Sequence, residues 1–314
     1  MTCHSCRTVA QKHGKDRKGN QRFKCQQCSK TFLEPQEKPL DGMYLPIEKA
    51  ELVLKLLLEG NSVSTVERIT EVHHTTILKL LVLAGEKCER IMAEKIRNVE
   101  VRDVECDELW AFIGKKQKRV RPEDDQNLGD AYTFVAIERH TKLVLNIALG
   151  KRDQHTTNAF VEGIRHATSR SSFQITTDGF APYRSAITTT LHDRLTGFAQ
   201  LIKVYRAASE GEGRYSPAEV ASVETVPVFG QPDPERICTS IIERQNLSVR
   251  MGLRRFTRLT NGFSKKWENH WAAVACWFAF YNFCRVHKSL RVTPAMAAGI
   301  SDHVWTLREL LEAV

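Results

Sequence analysis

Four cysteines and three carboxylates have the types and positions to do chemistry in this chain. Cys3-x2-Cys6 is followed, after 18 intervening residues, by Cys25-x2-Cys28. Each CxxC pair puts two thiolates on one side of a tight turn, and two such pairs complete a closed tetrahedral Zn²⁺ site. Four protein ligands leave no open coordination position, so zinc there is structural. A segment of about 30 residues cannot bury a sufficient core without a staple of this kind. The competing reading is a redox pair or unligated thiols.

The carboxylates are Asp107 and Asp178, each at the end of a predicted strand, and Glu243 on a later helix. Acids at strand ends converge across neighbouring strands, and a helix adds a third from above. Three converging carboxylates repel one another too strongly to stay ionised without cations. Hard oxygen ligands suit Mg²⁺ or Mn²⁺, and a pair of such ions about 4 Å apart serves phosphoryl transfer. Asp103, Glu105 and Glu108 are rivals for the place of Asp107. Asn246, Leu247 and Arg250 share the helical face of Glu243. On this reading the acid holds metal while Asn246 and Arg250 reach DNA beside it. Arg244, Arg254, Arg255 and Arg258 extend the cationic surface as a phosphate track. The bland alternative is a solvated basic helix.

These side chains need a scaffold. Residues 1–32 form the Cys-rich module, and 33–45, with Pro35 and Pro39, read as a linker. Residues 46–96 have helical periodicity, with Ala50, Val53, Leu54, Leu57 and Leu58 on one stripe. Gly60-Asn61 ends the first helix, Ser62 or Ser64 caps a second, and His74 or Thr75 starts a third. A short second helix before a third with small polar residues at its start suggests a helix-turn-helix. Its contacting group would be His73, His74, Thr75, Thr76 and Lys79; an ordinary three-helix bundle is the alternative. From residue 101 strand patterns dominate: 101–109, 131–137, 142–149, 173–177 and 201–205, with a helix over 156–167. Residues 207–236 hold four prolines and three glycines and read as a long insertion or flexible loop. Helices follow at 240–251, 266–283 and 306–313.

The 314 residues carry 46 Lys/Arg against 37 Asp/Glu, a net charge of +9. The charge is blocked rather than spread. Residues 1–40 and 244–291 are basic and the remainder is net acidic, which points to a polyanionic partner. The longest apolar run, Trp271–Tyr281, is far short of the roughly 20 residues a bilayer span needs. No membrane association is expected. With no apolar run after Met1, the expectation is a cytoplasmic, nucleoid-associated protein with reduced cysteines. The aromatics Trp267, Trp271, Trp277, Phe278 and Phe280 read as core of an apolar helix.

Several motifs occur in order: the paired CxxC, Glu59-Gly60-Asn61-Ser62-Val63-Ser64, Asp107-Glu-Leu-Trp-Ala-Phe-Ile-Gly-Lys-Lys116, Thr177-Asp-Gly179 and Ile242-Glu-Arg-Gln-Asn-Leu247. Arg254-Arg-Phe-Thr-Arg-Leu-Thr-Asn-Gly-Phe-Ser-Lys-Lys266 and Tyr281-Asn-Phe-x-Arg-x-His287 follow. Over almost its full length the chain resembles an insertion-sequence transposase of the insertion-sequence-one type, within the Asp-Asp-Glu transposases. The resemblance implies an α/β, ribonuclease H-like catalytic domain with a mixed sheet, preceded by a zinc ribbon and a helix-turn-helix domain. It implies a zinc ribbon at 1–32, a DNA-binding domain at 46–96, a catalytic domain at 101–290 with insertion 207–236, and a helical tail at 291–314. It also implies Mg²⁺-dependent DNA strand cleavage and transfer, with Asp107, Asp178 and Glu243 as the acidic triad. Glu243 is preferred to Glu235 and Glu224, because Glu235 lies among prolines and lacks the Asn/Arg face. The implied partners are double-stranded DNA, as terminal repeats and target, and a second copy of the chain in a dimer or higher assembly. A catalytically inactive DNA-binding regulator would share the amino-terminal half. A zinc adaptor that binds protein would not need the arginine block.

Overall fold

The computed structural model describes residues 1–3, 5–17, 19–33, 40–205, 220–257 and 260–313. Arg258 and the 207–219 part of the expected insertion lie outside them. The chain divides into two compact units, Met1–Gly42 and Met43–Val314.

The smaller unit has almost no apolar interior to work with. Its three strands, β1 (Ala10–Lys15), β2 (Gln21–Cys25) and β3 (Thr31–Leu33), form an antiparallel sheet. Phe23 stacks on Phe32 with ring centroids 6.0 Å apart. The two CxxC turns sit beside this sheet and bring all four sulfurs together.

The larger unit begins with α1 (Ile47–Leu58), α2 (Val63–Thr70) and α3 (His74–Lys95). The predicted stripe of α1 is its buried face: Ala50, Val53, Leu54 and Leu58. Gly60, at φ +82°, makes the sharp turn out of α1; a Cβ there would also lie 2.9 Å from the Met251 carbonyl oxygen. Ser62 caps α2, its Oγ accepting from the Thr65 amide at 3.1 Å. Helix α3 runs 22 residues and packs along α7 (Trp267–Ala279). Gly85 permits that approach, because a Cβ there would fall 2.5 Å from Ala272 Cα.

The sheet contains β4 (Asp103–Ile113), β5 (Gly129–Glu138), β6 (Val144–Gly150), β7 (Phe173–Thr177), β8 (Leu195–Tyr205) and β9 (Val220–Gly230). Their order is β6-β5-β4-β7-β8-β9. The pairs β4–β7 and β7–β8 are parallel and the others antiparallel, so the sheet is mixed. Helices α4 (Gln154–Ala167) and α5 (Pro182–Leu191) bring Phe160 and Tyr183 onto Phe134 of the central hairpin. Helix α6 (Ser240–Gly252) meets the other side of β4, as the alternation of contacts in the next section requires.

Two departures from the sequence reading concern 180–230. Val220–Gly230 was expected to be loop and is strand β9, antiparallel to β8, with Pro227 opposite Ala199 at a register shift. Proline is tolerated where the ladder is interrupted. Helix α5 was not expected at all; Pro182 sits at its first turn, the position in a helix where proline fits. Of the five aromatics read as core, Trp277 and Phe278 are fully buried, whereas Trp267, Trp271 and Phe280 are only half-buried. A π-helical turn, Phe280–Cys284, ends that helix. The chain closes with α8 (Pro294–Ala297) and α9 (Leu307–Glu312). The latter returns to α1 and α3: Lys87 Nζ donates to the Leu311 carbonyl at 2.6 Å, and Arg308 pairs with Glu48 at 3.1 Å. Among the described residues no helix is long and apolar enough to cross a membrane.

Candidate active site

Strand β4 sorts its acids by parity. Asp103, Glu105 and Asp107 fall on one face and Glu108 on the other. Asp103 is neutralised structurally, pairing with Arg236 at 2.6 Å and His140 at 2.8 Å. Glu105 is buried and accepts from the backbone amides of Ile241 and Ile242, each at 2.9 Å. It therefore caps the amino terminus of α6, the helix that carries Glu243. Burial pushes its carboxyl up, and the two amides oppose that. Two of the three rivals for Asp107 are thus committed to fold.

Asp107 itself lines a cavity of about 610 Å³ shared with Asp178, Glu243, Asn246, Arg250 and Lys203. Its Oδ2 accepts from Asn246 Nδ2 at 2.7 Å, and its Oδ1 from the Glu108 amide at 2.8 Å. Asn246 was expected to reach DNA; it is buried, and its amide orients Asp107 instead. Asp178 sits just past β7. Its Oδ1 accepts from the Phe180 amide at 3.0 Å, an Asx turn that fixes the loop. From beneath, the fully buried Gln200 donates to the Asp178 and Phe180 carbonyls at 2.8 and 3.2 Å. Glu243 accepts from Thr239 Oγ1 at 2.6 Å and forms an ion pair with Lys203.

Carboxylate oxygens of Asp107, Glu108 and Asp178 all lie within 4.8 Å of one another. Burial first, and the charge of Asp178 second, push Asp107 up to about 6 and Glu108 up to about 7. Arg152 is the resident cation of this cluster. Its Nε donates to Glu108 at 3.0 Å and its Nη2 to Asp178 at 3.3 Å, and its guanidinium lies 4.0 Å from the Phe180 ring centroid. Glu108 was weighed in the sequence only as a rival of Asp107. Arg152 was missed, since a lone Lys-Arg-Asp after a strand gives no signal.

The cysteines make a second metal-capable group. Cys3 Sγ lies 3.6 Å from Cys28 Sγ, and Cys6 Sγ 3.3 Å from Cys25 Sγ. A tetrahedron with zinc–sulfur bonds of about 2.3 Å has edges near 3.8 Å, so the donor set and spacing fit that ion. Hydrogen bonding from Thr8, ahead of backbone amides, brings Cys25 down to about 6.

The expected DNA-contacting residues are placed as follows. His74, Thr75 and Lys79 are exposed at the start of α3 and Thr76 is half-buried, with His74 accepted by Glu67 at 3.0 Å. Arg250 lines the carboxylate cavity. Arg254 and Arg255 border a different cavity.

No protein-family model and no curated protein matches the chain. Among solved structures it is similar to a piggyBac transposase synaptic complex with hairpin DNA. That match has 11% identity and a TM-score of 0.38, over 83% of this chain and 68% of that one. It is also similar to a Mos1 transposase paired-end complex with left transposon end, at 15% identity and a TM-score of 0.21, over 50% of this chain and 60% of that one. Superpositions this loose leave the site to be judged on its own geometry.

Proposed function

We propose that the chain is a DNA transposase that binds transposon ends and carries out metal-dependent strand cleavage and strand transfer. The observation that carries this reading is the convergence of Asp107 and Asp178, from adjacent parallel strands, on one cavity with Glu243 of α6. The strand order, with β4 central and β5 antiparallel to it, supports a ribonuclease H-like catalytic domain.

Asp107, Asp178 and Glu243 would hold Mg²⁺ or Mn²⁺, and the raised Asp107 fits a donor set that needs external cations. The chemistry such ions supply is activation of an attacking hydroxyl and neutralisation of charge at the leaving oxygen. The protein's own part is positional. Glu105 anchors α6, Asn246 aims Asp107, and Gln200 holds the loop of Asp178. Lys203 and Arg250 border the cavity as cations suited to the flanking phosphates. Cys3, Cys6, Cys25 and Cys28 would hold Zn²⁺ in a zinc ribbon. Helices α2 and α3 would act as a helix-turn-helix, with His74, Thr75, Thr76 and Lys79 toward the terminal repeat. Arg254, Arg255 and Arg258 would add phosphate contacts. Two ends must be processed together, which favours a homodimer or higher assembly.

The test is Mg²⁺-dependent cleavage of DNA carrying the gene's own flanks, comparing wild type with Asp178→Asn. Cleavage by the wild type alone, leaving 3′-hydroxyl ends, is expected. Tight binding without cleavage by either protein would replace this reading with that of a DNA-binding regulator.

A further inference from the structure

The larger unit contains a second cavity, of about 490 Å³, between α1–α3 and the segment following α6. Leu54, Leu78 and Leu81 wall it, and Arg254, Arg255 and Lys265 supply its cations. None of these residues borders the carboxylate cavity.

Arg255 is the informative residue. It donates from Nη1 to Ser264 Oγ at 3.0 Å, and Ser264 Oγ in turn meets His270 Nδ1 at 2.7 Å. Among the described residues no carboxylate pairs with the guanidinium, and burial alone brings it down to about 10, still fully charged at neutral pH. His270 offers no counter-charge: burial, and then Arg255 itself, push it down to about 3, so it is neutral. The acid on the rim, Glu67, is engaged by His74. Arginine presents five donors in a fixed fork, and among the described residues one is used here. Arg255 is half-buried, and a partly desolvated charge with no opposite partner among the described residues gains from an occupant of the cavity that supplies one. The first turn of α2, Ser62 to Ser64, also borders the space and favours an anion. The lining also includes leucines and Phe263, whose ring is met by Lys265 Nζ at 3.3 Å and by the Phe112 ring at 4.6 Å between centroids.

We propose that this cavity binds a nucleotide, with its phosphate on the Arg255 fork and its base against the leucines. Its volume is in the range of small organic ligand sites. The same chemistry has two sources: a free nucleotide, or a nucleotide unstacked from a DNA strand. The second source rests on the proposed function; the first does not.

The probes are dAMP, deoxyadenosine and inorganic phosphate, added to the full-length zinc-loaded protein and followed by thermal shift and calorimetry. With dAMP at 100 times its Kd, Tm should rise by about 5 °C, and deoxyadenosine or phosphate alone should do less. Arg255→Met should abolish the dAMP response, yet melt no lower than wild type without ligand, because a half-buried charge with no opposite partner among the described residues has gone. Arg255→Lys keeps the charge without the fork and should bind at least about tenfold more weakly. For the strand source, a duplex with a short unpaired tail should bind at least about tenfold tighter than a blunt duplex, to the wild type and not to Arg255→Met. Two results overturn the proposal: no response to dAMP together with no discrimination of the tail, or nucleotide binding unchanged in Arg255→Met. Failure of Asp178-dependent cleavage with dAMP binding intact would remove the transposase reading and leave this site standing.

Discussion

Asp107→Asn is expected to stabilise the metal-free protein at pH 8 and to destabilise it by about 1 kcal/mol at pH 4. The folded structure holds Asp107 at about 6, against 3.8 for the free side chain. A difference of about two units corresponds to about 3 kcal/mol. The folded state keeps a proton that the unfolded chain sheds as pH rises from about 4 to 6. Stability contributed by the protonated acid is therefore complete below the unfolded pKa and lost as pH climbs through the folded one. At pH 8 the wild type bears the full cost of an ionised Asp107 beside Asp178, and asparagine does not. The amide also loses one acceptor, since it cannot accept on both sides from the Glu108 amide and Asn246. That returns about 1 kcal/mol, leaving a net gain of about 2 kcal/mol. Urea unfolding in Zn²⁺-containing, Mg²⁺-free buffer, followed by tryptophan fluorescence between pH 4 and 8, measures it. All five tryptophans lie in the larger unit, so the signal reports the right part of the chain. A gap that stays constant with pH, or a variant less stable than wild type at pH 8, would refute the account of charge repulsion at this site.

Three further outcomes follow from other contacts. Glu105→Ala should cost about 2 kcal/mol and fray the first turn of α6 in hydrogen exchange, whereas Glu105→Gln, which keeps an acceptor for Ile241 and Ile242, should cost less. Cys25→Ser should abolish hydrogen-exchange protection in residues 10–33 and leave the unfolding midpoint of the larger unit unchanged. Gly85→Ala should lower stability by about 1–3 kcal/mol, because its methyl group meets the Ala272 backbone and α3 must move off α7; a neutral substitution there would show that the helices part freely.

The regular elements were legible wherever their periodicity was undiluted. The stripe of α1, the alternation of β4 and the apolar run of α7 each name their own buried face. Strand β9 was hidden because both its faces are largely exposed, and Pro227 and Gly230 mimic a loop. Helix α5 was hidden by Thr188-Thr189-Thr190, poor helix formers that tertiary packing of Tyr183 and Ile187 overrides. At the site, the expected strand end holds for Asp178, just past β7, whereas Asp107 lies in the middle of β4, paired with Val135 of β5. Sequence alone did not separate Asp107 from Asp103 and Glu105, because all three share one parity. Their partners separate them: Arg236 and His140, two helix amides, and an asparagine over an open cavity. Arg152 and Gln200 act only through contacts between distant segments, which no local pattern encodes.

The close packing of α3 on α7 turns one helix into a ruler. Its 22 residues span about 33 Å, with the exposed His74–Lys79 turn at one end and the Gly85–Ala272 contact farther along. Because these helices and the sheet that carries the carboxylates belong to one compact unit, the proposed function makes the offset between what α3 would read and what Asp107 and Asp178 would act on a property of the protein rather than of its ligand. On that proposal, a DNA end with its recognised sequence shifted by half a helical turn would present the wrong face of the duplex to the carboxylates, however tightly it was held.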